Sequence, residues 1–116
     1  YVSGLTVLGG EPFEPKNQPE LTALLQRVKA RYPHKTVWCF TGFRLDDELL
    51  RDGSYPRTEH TDAMLACIDV LVDGRFVEAK KNVTLKFRGS ENQRIIDVQK
   101  TLEKGEIVPW ERENGY

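Results

Sequence analysis

An α/β domain built on a parallel sheet is the fold class this 116-residue sequence predicts, and three observations predict it. Leu5-Thr-Val-Leu8, Val37-Trp-Cys-Phe40 and Val70-Leu-Val72 are short apolar runs, the pattern of strands covered on both faces. Each runs into a turn that carries glycine: Gly9-Gly10, Thr41-Gly42 and Asp73-Gly74. The runs recur about every 32 residues, close to the roughly 30 residues of one βαβ unit.

Taken in order, the first strand stops at two glycines followed by Glu11 and Pro12. Glycines there mark a place where another group approaches the backbone. The next segment reads as an amphipathic helix, with Leu21, Leu24, Leu25, Val28 and Tyr32 on one face and Glu20, Gln26, Arg27, Lys29 and Arg31 elsewhere. Asn17 and Glu20 resemble a capping box, Pro19 falls in the first turn and Pro33 marks the stop. After the second strand, Asp46–Leu50 suggests a short helix, Asp52–Pro56 a loop and Thr61–Cys67 another helical segment. Beyond Gly74, Val83, Leu85 and Phe87 alternate with polar residues, which predicts an edge strand with one wet face. A polar run over Arg88–Arg94 follows, and the apolar pairs after it fit a helix or a hairpin equally well.

Length bounds the chain to one domain, residues 1–116. With 17 basic and 18 acidic residues, the formal charge of -1 gives no general attraction for nucleic acid or an anionic membrane. No apolar stretch approaches bilayer length and no signal peptide is recognisable, so a cytoplasmic location is expected. Cys39 and Cys67 sit in apolar segments without CxxC-type spacing, which predicts two buried thiols and no metal site. His34 and His60 read as surface residues, Trp38 as core, and Trp110 as either a docking residue or part of a tail folded onto the body. The sequence enters a strand almost at Tyr1, and the expectation is that preceding sequence is missing from this chain. A sheet lacking its first strand exposes an edge, which predicts a homodimer or other self-association.

Right-handed crossovers make the three repeated strands parallel, so their glycine-bearing loops emerge together at the carboxyl end of the sheet, where α/β folds bind ligands. Glycine at the first loop opens main-chain carbonyls to a ligand, and Glu11 adds an anion. That pairing suits an ammonium, whereas a phosphate would be repelled and no phosphate-binding loop is present; taken alone, the same residues also read as a tight strand-to-helix turn with a solvated Glu11.

Four segments in this order resemble one family. Gly9-Gly10-Glu11-Pro12 after a strand looks like the GGEP motif of radical S-adenosylmethionine enzymes, which receives the amino group of the methionine moiety. Val37–Phe43, Ile68-Asp-Val-Leu-Val-Asp-Gly74 and Phe87-Arg-Gly-Ser-Glu-Asn-Gln-Arg94 resemble elements of the activating proteins of anaerobic ribonucleotide reductase. The resemblance covers nearly the whole chain. It implies the C-terminal part of an incomplete, TIM-type radical S-adenosylmethionine barrel, with S-adenosylmethionine and a [4Fe-4S] cluster as cofactors. It also implies an activity: generating a glycyl radical on anaerobic ribonucleoside-triphosphate reductase, with an electron donor such as a flavodoxin.

By that resemblance Gly9, Gly10, Glu11 and Pro12 are expected to bind the cofactor; Thr41 and Asp73 join them as cofactor-binding candidates because they end neighbouring strands on the same face, with a capped turn before Gly74 as the competing role for Asp73. Arg88, Ser90, Asn92, Gln93 and Arg94 are expected near the cofactor or the partner's glycine, with a solvated loop and helix start as their competing role. The family's CxxxCxxC motif is absent from this chain, so neither cysteine is carried over as a cluster ligand and the 116 residues alone are not expected to do the chemistry. The alternatives are an activase of another glycyl-radical enzyme, or a non-catalytic module that binds a small molecule or protein on the same fold.

Overall fold

The fold is that of a computed structural model, which describes residues 4–7 as backbone and residues 10–74 and 93–110 in full. Strand β1 (Gly4–Val7) leads through a 3-10 turn (Pro15–Asn17) into α1 (Gln18–Arg31) and β2 (Thr36–Phe40). A π-helical turn (Leu45–Leu49) and α2 (Thr61–Ala66) precede β3 (Val70–Asp73), and β4 (Arg94–Asp97) runs directly into α3 (Val98–Lys104). The four strands lie side by side in chain order. Gly4 pairs with Thr36 and Trp38 with Val70, both parallel, as the apolar runs predict. The fourth strand reverses, with Asp73 opposite Arg94 and Val70 opposite Asp97, so the sheet is mixed rather than purely parallel.

Side chains from α1, the π-turn, α2 and α3 share one core with Val37, Cys39, Leu71 and Ile96 of the sheet. The helices therefore lie on one face, as successive crossovers of a single hand require. Alternation along β2 turns Thr36, Trp38 and Phe40 to the other face, where they stay half-buried. β3 is buried at every position, as expected of the third apolar run.

The helix face differs from the apolar stripe. Leu24 and Tyr32 are 43% and 48% exposed, while Gln18 and Thr22 join Leu25 as the buried residues of α1. The physical reason is Gln18: its carboxamide donates to the carbonyls of Phe13 and Pro56 and accepts from the hydroxyls of Thr58 and Thr61, so a polar side chain enters the interior fully satisfied. Asn17 makes no capping bond either. Its side chain is drawn to the Glu11 carbonyl.

Both readings of the tail contribute, because an apolar run changes from strand to helix at Asp97. That carboxylate accepts from Lys100 N at 3.0 Å and caps α3. Gly105, at φ 75°, closes the helix in the left-handed conformation that glycine tolerates best. The chain then returns along β4, with Val108 O accepting from Asp97 N and Trp110 N donating to Ile95 O. Trp110 meets Trp38 edge to face, ring centroids 6.4 Å apart, so this tail folds onto the body. The predicted strand over 83–87 lies outside the described residues.

Candidate functional site

The loops after β1, β2 and β3 do emerge together. Gly10, Glu11 and Pro12 from the first, Thr41 and Gly42 from the second, and Gly74 from the third line one cleft of about 310 Å³ with Gln93. A second hollow of about 370 Å³ lies between the same Gly10–Pro12 turn and Leu21 and Leu24 of α1. Of the residues singled out from sequence, Gly9, Arg88, Ser90 and Asn92 lie outside the described residues.

Glu11 is the joint between the first two loops. Its Oε2 accepts from Thr41 Oγ1 at 2.6 Å and from Phe13 N at 2.9 Å, and its Oε1 accepts from Gly42 N at 2.7 Å. Hydrogen bonds to an ionised acceptor are the stronger kind, so the carboxylate braces the loops rather than standing free. Its carbonyl is engaged too, by the Asn17 side chain at 2.9 Å and Glu14 N at 3.2 Å. Thr41 is almost fully buried and its hydroxyl also accepts from Phe43 N, which leaves it inside the same network. The glycine at 42 is explained by this joint: a Cβ there would stand 3.3 Å from Glu11 Oε1.

Gly10 has no such internal reason. It is exposed, and among the described residues an added Cβ would meet nothing within 4 Å. Among the described residues nothing hydrogen-bonds to its main chain. Gly10 lines both hollows, and without a side chain it leaves its peptide open to a ligand there.

Asp73 ends β3 beside the cleft with its carboxylate fully buried. Arg94 grips it through Nε at 2.9 Å and Nη2 at 2.6 Å, and Leu45 N donates to it at 2.7 Å. Both carboxylate oxygens of Asp73 are thus engaged by the protein itself, one of them by the main chain at Leu45. Arg94 is likewise turned inward, with a further bond to Asp46 at 2.9 Å. Asp73 foremost, and then Asp46, holds the Arg94 guanidinium well above its ordinary range. Asp46, in turn, is held below the usual carboxylate range chiefly by its bond from Arg94. Of the described residues of that polar run, Gln93 lines the cleft, its Nε2 donating to Gly74 O at 3.2 Å. Gly74 adopts φ 94°, a conformation that favours glycine, and its N–H donates to Phe43 O.

Asn17, Phe13 and Asp46 belong to this framework and were not identified from sequence as site residues. Asn17 reads as a cap, and neither periodicity nor a motif links it to Glu11 across the turn. His34 is exposed and His60 lies beside Glu59, as expected for surface histidines.

The residues do not fit the [4Fe-4S] cluster that the resemblance implies. Iron–sulfur clusters are held by several cysteine thiolates, and the sequence has two cysteines. Both are buried free thiols. Burial, with a smaller contribution from Glu11, pushes the Cys39 thiol up, and burial does the same to Cys67. Among the described residues no group of three or more histidine, cysteine or acidic side chains is placed to hold a metal.

A family described as a 4Fe-4S single cluster domain matches residues 1–96. The chain is 37% identical over 97 residues to the anaerobic ribonucleoside-triphosphate reductase-activating protein of Enterobacteria phage T4, covering 82% of this chain and 53% of that protein. Proteins of the same name from Haemophilus influenzae and Escherichia coli K12 are 40% and 38% identical, over 79% and 78% of this chain and 54% and 53% of their own lengths. The chain thus spans about half the length of the curated relatives it matches. No solved structure matches it significantly. Matched over most of its length, and akin to proteins that activate anaerobic ribonucleoside-triphosphate reductases, the chain belongs to the 4Fe-4S single cluster domain family.

Proposed function

We propose that this chain is the part of an anaerobic ribonucleotide reductase-activating protein that receives S-adenosylmethionine, and that the activity it serves is the formation of a glycyl radical on the reductase. The observation that carries this reading is Gly10, a bare peptide at the cleft beside which, among the described residues, nothing would meet a Cβ. In this reading its carbonyl accepts from the ligand's ammonium, while Glu11 holds the loop in shape and leaves a negative charge beside it. S-adenosylmethionine, when bound, is the source of the hydrogen-abstracting equivalent. The chain's own residues fix its amino-acid end and shield one side of it with the sheet.

Strands in sequential order with their helices on one face support the wider reading of a partial barrel wall, capped at one edge by the reversed β4. The proposed setting is the cytoplasm, with the reductase as partner, an electron donor such as a flavodoxin, and a homodimer as the assembly. Among the described residues no helix is long and apolar enough to cross a membrane. The cysteine count favours a second reading for these 116 residues by themselves, a ligand-binding module that does no chemistry alone.

Calorimetric titration with S-adenosylmethionine tests the ligand assignment. Saturable binding that Gly10→Val weakens at least about tenfold is expected, and a wild-type chain that binds none refutes the assignment. The activity is tested in the intact protein, treated with iron and sulfide without oxygen and mixed with the reductase. The expected products are 5′-deoxyadenosine and a glycyl radical visible by electron paramagnetic resonance, with neither formed by these 116 residues alone. Absence of both from the intact protein sinks the activase reading.

A further inference from the structure

The turn Thr41–Leu45 is fastened on three sides. Glu11 holds Thr41 and Gly42, main-chain bonds tie Thr41 N to Val72 O and Gly74 N to Phe43 O, and the Asp73 carboxylate holds Leu45 N. The third fastening depends on one residue. Asp73 is fully buried, and among the described residues Arg94 on the antiparallel strand is the cation that faces it, in a two-bond fork that also reaches Asp46 on the π-turn. Gln93, next to Arg94, lines the cleft, whereas Arg94 lines a separate groove with Ile95 and Trp110.

We infer that Arg94 is a positioning residue of the ligand cleft: by neutralising Asp73 it lets that buried carboxylate hold the π-turn, and through the π-turn it sets the Thr41–Gly42 wall. This rests on the ligand reading above. A buried carboxylate that loses its counter-charge is strongly unfavourable and moves toward water or rearranges its surroundings. Leu45 N is bonded to that carboxylate, so the displacement reaches the cleft wall within four residues. Lysine keeps the charge but not the planar fork. Replacing both members by neutral amides removes the stranded charge, and the carboxamide oxygen that takes the place of the carboxylate can still accept from Leu45 N.

The test compares the wild-type chain with Arg94→Gln, Arg94→Lys and the double variant Asp73→Asn/Arg94→Gln, by titration with S-adenosylmethionine and by amide hydrogen exchange at Gly42 and Leu45. Arg94→Gln should bind about tenfold more weakly and exchange faster at both amides. Arg94→Lys should recover part of the loss, and the double variant should return both readouts close to wild type. A folded Arg94→Gln protein that binds and exchanges like wild type overturns the inference. So does a folded double variant with recovered exchange but binding as weak as Arg94→Gln, because Arg94 would then touch the ligand itself. If the wild type binds no S-adenosylmethionine, the ligand reading fails separately. The exchange data then decide whether Arg94 fastens the turn, and unchanged rates in Arg94→Gln reject it.

Discussion

Glu11 keeps its carboxylate for its own loops. Three donors converge on two oxygens, two of them from a loop 30 and 31 residues away, so the motif residue acts as a brace and the adjacent glycine presents the open peptide. Glutamine at this position turns one acceptor into a donor that faces other donors. Glu11→Gln should therefore lose about 2 kcal/mol of unfolding free energy in a urea titration, with the larger loss showing in S-adenosylmethionine affinity. The motif made this residue legible as part of the site, but its role was not. Sequence shows an anion beside two glycines, whereas the direction of the carboxylate depends on Thr41 and Gly42, which only the sheet brings near. Arg94 and Asp73 are similar. Each is a charge at the end of an apolar run, and the antiparallel register that pairs them is not written in either segment.

At the level of elements, α1 shows how a polar core escapes a hydrophobicity pattern. Gln18 ties the helix start to the Phe13 turn, the Pro56 loop and α2 through four hydrogen bonds. Gln18→Met fills the space and strands these partners. It should cost about 3 kcal/mol or more and make the 50–57 loop the first site cut in limited proteolysis, whereas Leu24→Gln on the exposed side should leave stability within about 0.5 kcal/mol. The apolar stripe had placed Leu24 and Tyr32 inside because it counts hydrophobic residues and cannot see a satisfied amide. The strand-to-helix change at Asp97 was undecidable for a related reason. Ile95, Ile96 and Val98 suit both states, and the choice falls to the cap at Asp97 and the pairing with β3.

For the molecule as a whole, three parallel strands with converging loops were readable because runs buried on both faces and closed by glycine have few other uses. The reversal of β4 was not, since direction is set by what a strand pairs with. The central position of β2 has a consequence for pH. Cys39 lies wholly inside, and its thiol is raised above the ordinary value near 8.5. A raised folded-state value means that stability is complete below that pH and declines above it, by up to about 1.4 kcal/mol per pH unit for one thiol. Thermal melts of Cys39→Ala should start lower, because a cavity is made, but fall less steeply between about pH 9 and pH 10 than wild type. The contact between Gly42 and the Glu11 carboxylate carries a historical corollary. A methyl at position 42 would crowd that carboxylate and press on its bonds, so lineages in which position 42 has acquired a larger group should more often carry a smaller residue at position 11 than lineages that keep glycine there.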